Sequence, residues 1–153
     1  MVTVPVQFKP GALLKVPAGD DYGYGVMLSR FPYMAFYGKS AVSDEQRFPA
    51  AHPLFVVLVT KAAYSTGRWG KPLRLLPENE IIPIPKFFSQ GVTNKFDCKI
   101  IDPVARRKVT ASPSECTGFE REAVWSPEHI EARILGTYAG RLNIYAESLQ
   151  PKL

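Results

Sequence analysis

The sequence predicts a mainly β fold of the α+β class: a strongly bent antiparallel sheet or small barrel, with one C-terminal helix packed on it. Three observations carry this. Fourteen prolines are scattered from Pro5 to Pro151 among 153 residues, a spacing that favours short elements joined by turns over long helices. Residues 11–28 alternate like a β-hairpin. Only residues 126–140 carry clear helix punctuation.

The first strand is expected over residues 11–16, with turn chemistry in Pro17, Gly19, Asp20 and Asp21. In the second, Tyr22, Tyr24, Val26 and Leu28 share one face and Gly23, Gly25 and Met27 the other. Two glycines at alternate positions strip that face of side chains, which permits the coiling a closing barrel needs. Tyr33 to Tyr37 reads as a third strand ending at Gly38, and residues 39–52, with Asp44, Glu45 and Arg47, as an exposed loop. Leu54 to Val59 is apolar without alternation, the pattern of a central strand covered on both faces. Gly67-Arg68-Trp69-Gly70 is a turn. Ile82-Pro83-Ile84-Pro85 lacks donors at its prolines and is an extended connector or an edge. Phe96, Cys98 and Ile100, alternating with Asp97 and Lys99, suggest a half-buried strand.

The helix has Ser126 as N-cap, Pro127 at the first helical position and Glu128 where the helix dipole favours an acid. Ile130, Ile134, Leu135 and Tyr138 form its apolar stripe, and Gly140 stops it. Leu142 and Ile144 suggest a last strand. With no repeat or long linker, residues 1–153 read as one domain, a length that buries a core without staples.

Composition narrows the function classes. The apolar fraction is 46% and the charged fraction 22%, ordinary for a globular protein. No secretory pattern is visible, and the longest apolar run has six residues, too short for a membrane span. A cytoplasmic location is expected, with Cys98 and Cys116 as small buried thiols and no disulfide framework. The net charge is +5, unevenly spread: Arg106-Arg107-Lys108 is basic, whereas residues 115–131 hold Glu115, Glu120, Glu122, Glu128 and Glu131 against Arg121.

Chemistry-bearing motifs are missing. There is no nucleophile elbow and no phosphate loop; Gly19 to Gly25 has the wrong spacing and no following helix. His52 and His129 lie far apart and the cysteines are single, so no metal-ligand spacing arises. A Cys116–His129 nucleophile pair has no local support. Neither an enzyme nor a cofactor is expected. Tyr22, Tyr24, Tyr33, Tyr37, Tyr64 and Trp69, beside glycines, basic residues or turns, are more promising, because aromatics with arginine make binding hot spots. Arg68-Trp69 is the best candidate anchor pair.

In order and spacing, these segments resemble the immunity protein 26 family of bacterial polymorphic-toxin systems over roughly residues 8–140. The resemblance rests on Lys9-Pro10-Gly11, Lys15-Val16-Pro17 and Tyr22-Gly23-Tyr24-Gly25-Val26 in the opening hairpin. It continues in Gly67-Arg68-Trp69, Pro85-Lys86-Phe87-Phe88, Glu115 to Glu120 and Trp125-Ser126-Pro127-Glu128-His129-Ile130-Glu131. Ala12 departs from it, standing where an acid is expected. The resemblance implies a protein without catalysis that binds and neutralises the C-terminal domain of a cognate toxin, often a nuclease. Candidate toxin-binding residues are Asp20, Asp21, Tyr22, Arg68, Trp69, Glu120, Glu122 and Glu128. Nuclease toxins are often basic, which points to the acidic 115–131 region or an uncharged aromatic patch as the contact. A membrane partner is not expected. A small-barrel nucleic-acid-binding module and a barrel-type ribonuclease toxin are the competing readings of the hairpin, the former drawing on Arg106-Arg107-Lys108.

Overall fold

A computed structural model describes residues 5–41, 52–141 and 143–153. Its strands are β1 (Ala12–Ala18), β2 (Asp21–Met27), β3 (Tyr33–Gly38), β4 (Phe55–Val59), β5 (Arg74–Leu75), β6 (Phe87–Gln90), β7 (Cys98–Asp102), β8 (Arg107–Ala111), β9 (Glu120–Arg121) and β10 (Val124–Trp125). Its α-helices are α1 (Ala62–Ser65), α2 (Pro127–Tyr138) and α3 (Ile144–Ser148). The fold is α+β and mainly β, as its sequence predicts.

The opening hairpin forms in the expected place, with Leu13 opposite Val26 and Ala18 opposite Asp21. Pro17 lies inside β1 and not in the turn. Its missing N–H costs nothing there: β5 pairs only with Ala12 and Leu13, so beyond them the outer edge of β1 bonds to no strand. A six-stranded sheet follows in the order β10-β4-β3-β2-β1-β5. The second sheet has the order β8-β7-β6-β9. Neither closes, so the barrel alternative does not hold. Both sheets end on a parallel pairing, β10 with β4 and β9 with β6, and residues 120–125 supply both of those strands.

The large sheet is covered on both sides. Ala12, Leu14, Val16, Met27, Met34, Phe36, Phe55 and Val57 point toward α1, α2 and the 67–70 turn. On the other face, Leu13, Tyr24, Val26, Tyr33, Ala35 and Leu58 meet Leu76, Ile84 and Phe87 of the connector and second sheet. β3 and β4 therefore bury both faces, as does β2 beyond Tyr22, while β1 leaves Lys15 and Pro17 exposed; the sequence signals such burial plainly only in β4. A smaller core beneath the second sheet holds Phe88, Ala111 and the free thiols Cys98 and Cys116.

Five of the six aromatics singled out as binding candidates are buried: Tyr24, Tyr33, Tyr37, Tyr64 and Trp69. Turns flank them in sequence, but the second sheet and its connector cover Tyr24, Tyr33 and Tyr37, and Tyr64 and Trp69 pack in the cluster beneath α2. The strand expected from Phe96 starts at Cys98, and Phe96 is exposed. Ile144 opens α3, capped by the Asn143 side chain, and does not join a strand. The loop expected over 39–52 begins with a 3-10 turn at Lys39–Ala41. Residues 42–51, including Asp44, Glu45 and Arg47, and Leu142 lie outside the described residues.

The glycine face of β2 seats α2. A Cβ at Gly23 would stand 2.8 Å from the Tyr37 carbonyl oxygen and 3.1 Å from Ile134 Cγ2. Gly38, opposite Gly23 in β3, has room: its nearest neighbour would be Tyr138, at 3.7 Å. Gly23→Ala is expected to cost about 1–3 kcal/mol, because backbone must move. Gly38→Ala should be neutral or slightly stabilising. Urea midpoints of the two variants check this, and equal midpoints would refute the close seating of α2.

Burial also holds phenol protons. It raises the hydroxyls of Tyr24, Tyr33, Tyr64 and Tyr138, and pushes Tyr37 up to about 12. The unfolded chain releases these protons near the ordinary value of 10.0. Their contribution to stability is thus complete below that pH and lost as pH rises through each raised folded value, about 12 for Tyr37. Tyrosinate absorbance is expected to appear for the most part in one cooperative step that coincides with loss of secondary structure.

Candidate functional site

The candidate residues gather around α2. Its backbone starts as expected, with Ser126 extended and Pro127 in the first turn, although the Ser126 hydroxyl makes no cap bond to the backbone. Gly140 ends it at φ +68. Ile130 and Ile134 are buried against the sheet, while Leu135 is partly exposed and packs beside the Gly19 position of the hairpin turn.

Three polar contacts tie the helix down, and Glu131 makes the central one. Its Oε2 accepts from Arg68 Nε at 2.7 Å and from Trp69 Nε1 at 2.9 Å, and its Oε1 accepts from Arg68 Nη2 at 2.8 Å. Arg68 also lies 3.6 Å from Glu128. The Glu131 carboxylate keeps the Arg68 guanidinium protonated above its ordinary range. Glu128 is held below the usual carboxylate range, first by its own backbone N–H, then by the Ser126 hydroxyl and by Arg68. The structure thus joins Arg68, Trp69 and Glu128 in one cluster, but Trp69 is a core side chain. The Arg68–Trp69 pair is an internal latch and not an exposed anchor.

The second contact is at the far end of α2. The Tyr138 hydroxyl accepts from the Lys39 backbone N–H at 2.8 Å and donates to the Tyr22 carbonyl at 2.7 Å. Beside it, Lys39 Nζ bonds Asp21 at 2.7 Å and holds the Asp21 carboxyl below its ordinary value. Tyr22 is half-buried, with its ring edge-on to Tyr24 at 5.7 Å and Lys15 Nζ 4.2 Å above it. Asp20 stands exposed in the turn.

The third contact is Arg133 to Glu120. The Arg133 guanidinium lies 4.1 Å from the Phe55 ring centre and 5.0 Å from that of Trp125, where cation–π attraction adds to the ion pair. Below it runs an aromatic row: Trp69 edge-on to Phe36 at 5.8 Å, Phe36 stacked on Phe55 at 5.2 Å, and Phe55 stacked on Trp125 at 6.4 Å. Both tryptophans of the chain stand in this row. Glu120 is therefore committed inside the fold, and the acidic 115–131 region is in large part internally neutralised. Glu122 is exposed, and its backbone N–H is held by the Phe88 carbonyl at 2.8 Å.

Asp20, Tyr22, Arg68 and Glu128 consequently border the solvent face of α2, while Trp69 and Glu120 hold it from within. Glu131, Arg133 and Tyr138 organise the cluster; their signal in the sequence was limited to charge or apolar spacing. Among the described residues, no three His, Cys, Asp or Glu side chains gather as a metal site, and no helix is long and apolar enough to cross a membrane.

The latch makes an asymmetric prediction. Glu131→Ala removes three bonds and leaves the Trp69 indole N–H buried without an acceptor, so it should cost about 2–3 kcal/mol. Arg68→Ala removes an exposed guanidinium and leaves that indole bond intact, so it should cost about 1 kcal/mol or less. Urea denaturation of both variants checks the order.

Comparison with known proteins finds no matching family model, no matching curated protein and no matching solved structure.

Proposed function

We propose that this chain is an immunity protein that binds a cognate toxin C-terminal domain, in keeping with the family it resembles, and neutralises it by protein–protein contact. One observation supports this reading. Segments carrying the resemblance that lie far apart in sequence, residues 22–26, residues 67–69, Glu120 and residues 125–131, pack on one another around α2, whereas Phe87 and Phe88 lie in the second sheet. Gly23 of the opening hairpin meets Ile134, Gly67-Arg68-Trp69 clamps Glu131, and Trp125 leads into the helix under Arg133. The motifs thus behave as parts of one scaffold, and the side chains that border it are free to vary with the partner.

The toxin-facing surface in this reading is the solvent face of α2 together with the β1–β2 turn. Asp20 and Glu128 offer acid there, Arg68 a base, and Tyr22 and Leu135 partly exposed apolar surface. Neutralisation demands tight binding. Nanomolar affinity corresponds to about −12 kcal/mol, within reach of an interface of roughly 800 Å² per partner with a few buried anchors. The proposal requires surface fit and no chemistry.

The test is co-expression with the toxin-like C-terminal domain encoded beside this chain's gene. Rescue of growth and co-purification are expected. Asp20→Lys with Glu128→Lys should slow association severalfold and leave the fold intact, whereas Glu120→Lys should unfold the protein by stranding Arg133. Unchanged association kinetics in the Asp20→Lys/Glu128→Lys variant would move the interface elsewhere, and failure to co-purify would refute the reading.

A further inference from the structure

On the second sheet, away from α2, β7 and β8 form a hairpin with an unusual tip. β8 is the outer strand, and Arg107 to Thr110 are exposed. Lys99, Arg106, Arg107 and Lys108 give the hairpin four cations. A fifth comes from the large sheet, where Arg30 Nη1 donates to the Pro103 carbonyl at 2.9 Å. The hairpin's own acid, Asp102, accepts the Val104 and Ala105 backbone N–H groups, each at 3.0 Å, and so serves the turn.

Arg106 sits at φ +56, and it alone of the non-glycine residues described has a left-handed backbone. A side chain in that region costs about 1–2 kcal/mol, which glycine avoids. Turn shape alone would therefore favour glycine at 106. Arginine there places a guanidinium at the tip at a cost in stability, and an outlier of this kind argues for a role.

We propose that the β8 edge takes up an extended acidic segment of a partner protein, which adds as a fifth strand to the second sheet. Edge cations commonly deter pairing with a second copy of the same chain. The same charges select a strand of opposite sign. The outer edge of β8 supplies backbone donors and acceptors, the mode by which sheets capture extended peptides. Lys99 and Lys108 share one face of the hairpin, and Val109, 60% exposed, lies on the other beside Arg107. A peptide alternating carboxylates with β-branched residues matches that pattern, its acids toward the lysines and its apolar side chains toward Val109. Nucleic acid matches it less well, because residues 98–111 contain no aromatic side chain on which a base could stack. The inference is independent of the toxin-binding reading, since it concerns another sheet and another charge.

A fluorescein-labelled synthetic nonapeptide alternating Glu and Val is the probe, titrated at low ionic strength by anisotropy. A Lys/Val nonapeptide and a nine-nucleotide oligo(dT) serve as comparisons. The Glu/Val peptide is expected to bind, to slow amide hydrogen exchange in Arg107–Ala111, and to lose affinity as salt rises. Arg106→Gly should raise the urea midpoint by relieving the left-handed backbone, yet weaken peptide binding about two- to fivefold. Arg107→Glu with Lys108→Glu should weaken it about tenfold or more. No binding of the Glu/Val peptide, equal binding of the Lys/Val peptide, or unchanged affinity in both variants would overturn the proposal. Tighter binding of oligo(dT) would overturn it in favour of nucleic acid. No toxin enters these measurements, so their failure and the failure of toxin neutralisation are read separately.

Discussion

The approach of α2 to the large sheet governs how the rest of the molecule is arranged. A helix normally stands on a sheet across a layer of side chains. Here Gly23 removes that layer at one point, and Ile134 packs within 3.1 Å of where a Cβ would stand. Because the helix comes so near, Glu131 reaches the 67–70 turn and Tyr138 reaches the backbone of both Tyr22 and Lys39. Arg133 lies over Phe55 and Trp125 for the same reason. The polar clamps depend on the depth of the seat, and the aromatic row Trp69–Phe36–Phe55–Trp125 fills the space beside it.

This geometry also explains why the chain's acids are a poor guide to its surface charge. Glu120 and Glu131 stand among five acids in a short stretch and look in sequence like a solvated face. In the fold, each is half-buried and engaged by an arginine. Partly buried charges need partners, and the neighbours Arg68 and Arg133 come from 63 residues before Glu131 and 13 residues after Glu120. Among the described residues, the exposed basic hairpin has no such internal counterpart beyond Asp102.

Local signals made the opening hairpin and α2 legible in the sequence. Alternation fixed the faces of β2 correctly, and Ser126, Pro127 and Gly140 marked the helix to within a residue. The edge strands of the large sheet and most of the second sheet were illegible for equally physical reasons. β5, β9 and β10 have two residues each, too few for any period to emerge. β8 is exposed over four of its five residues, so no apolar alternation marks it. Trp69 was misread because glycine and arginine flank it, and only the arrival of α2 from far along the chain buries it. The glycines of β2 are structural, but Gly23 admits a helix and Gly25 makes room for Phe36 and Met34, and neither closes a barrel.

One short segment has a consequence for how the chain is made. Residues 120–125 provide β9 to one sheet and β10 to the other, each lying alongside a strand formed much earlier in the sequence. Until that segment leaves the ribosome, β4 and β6 each keep one side without its hydrogen-bonding neighbour. Unpaired strand edges are sites of aggregation. The nascent protein thus carries an open β4 edge from residue 59 onward and an open β6 edge from residue 90 onward, and a single stretch of six residues then shields both. The chain is exposed to misassembly longest before residue 125, and a ribosome that stalls short of it would leave both edges open together.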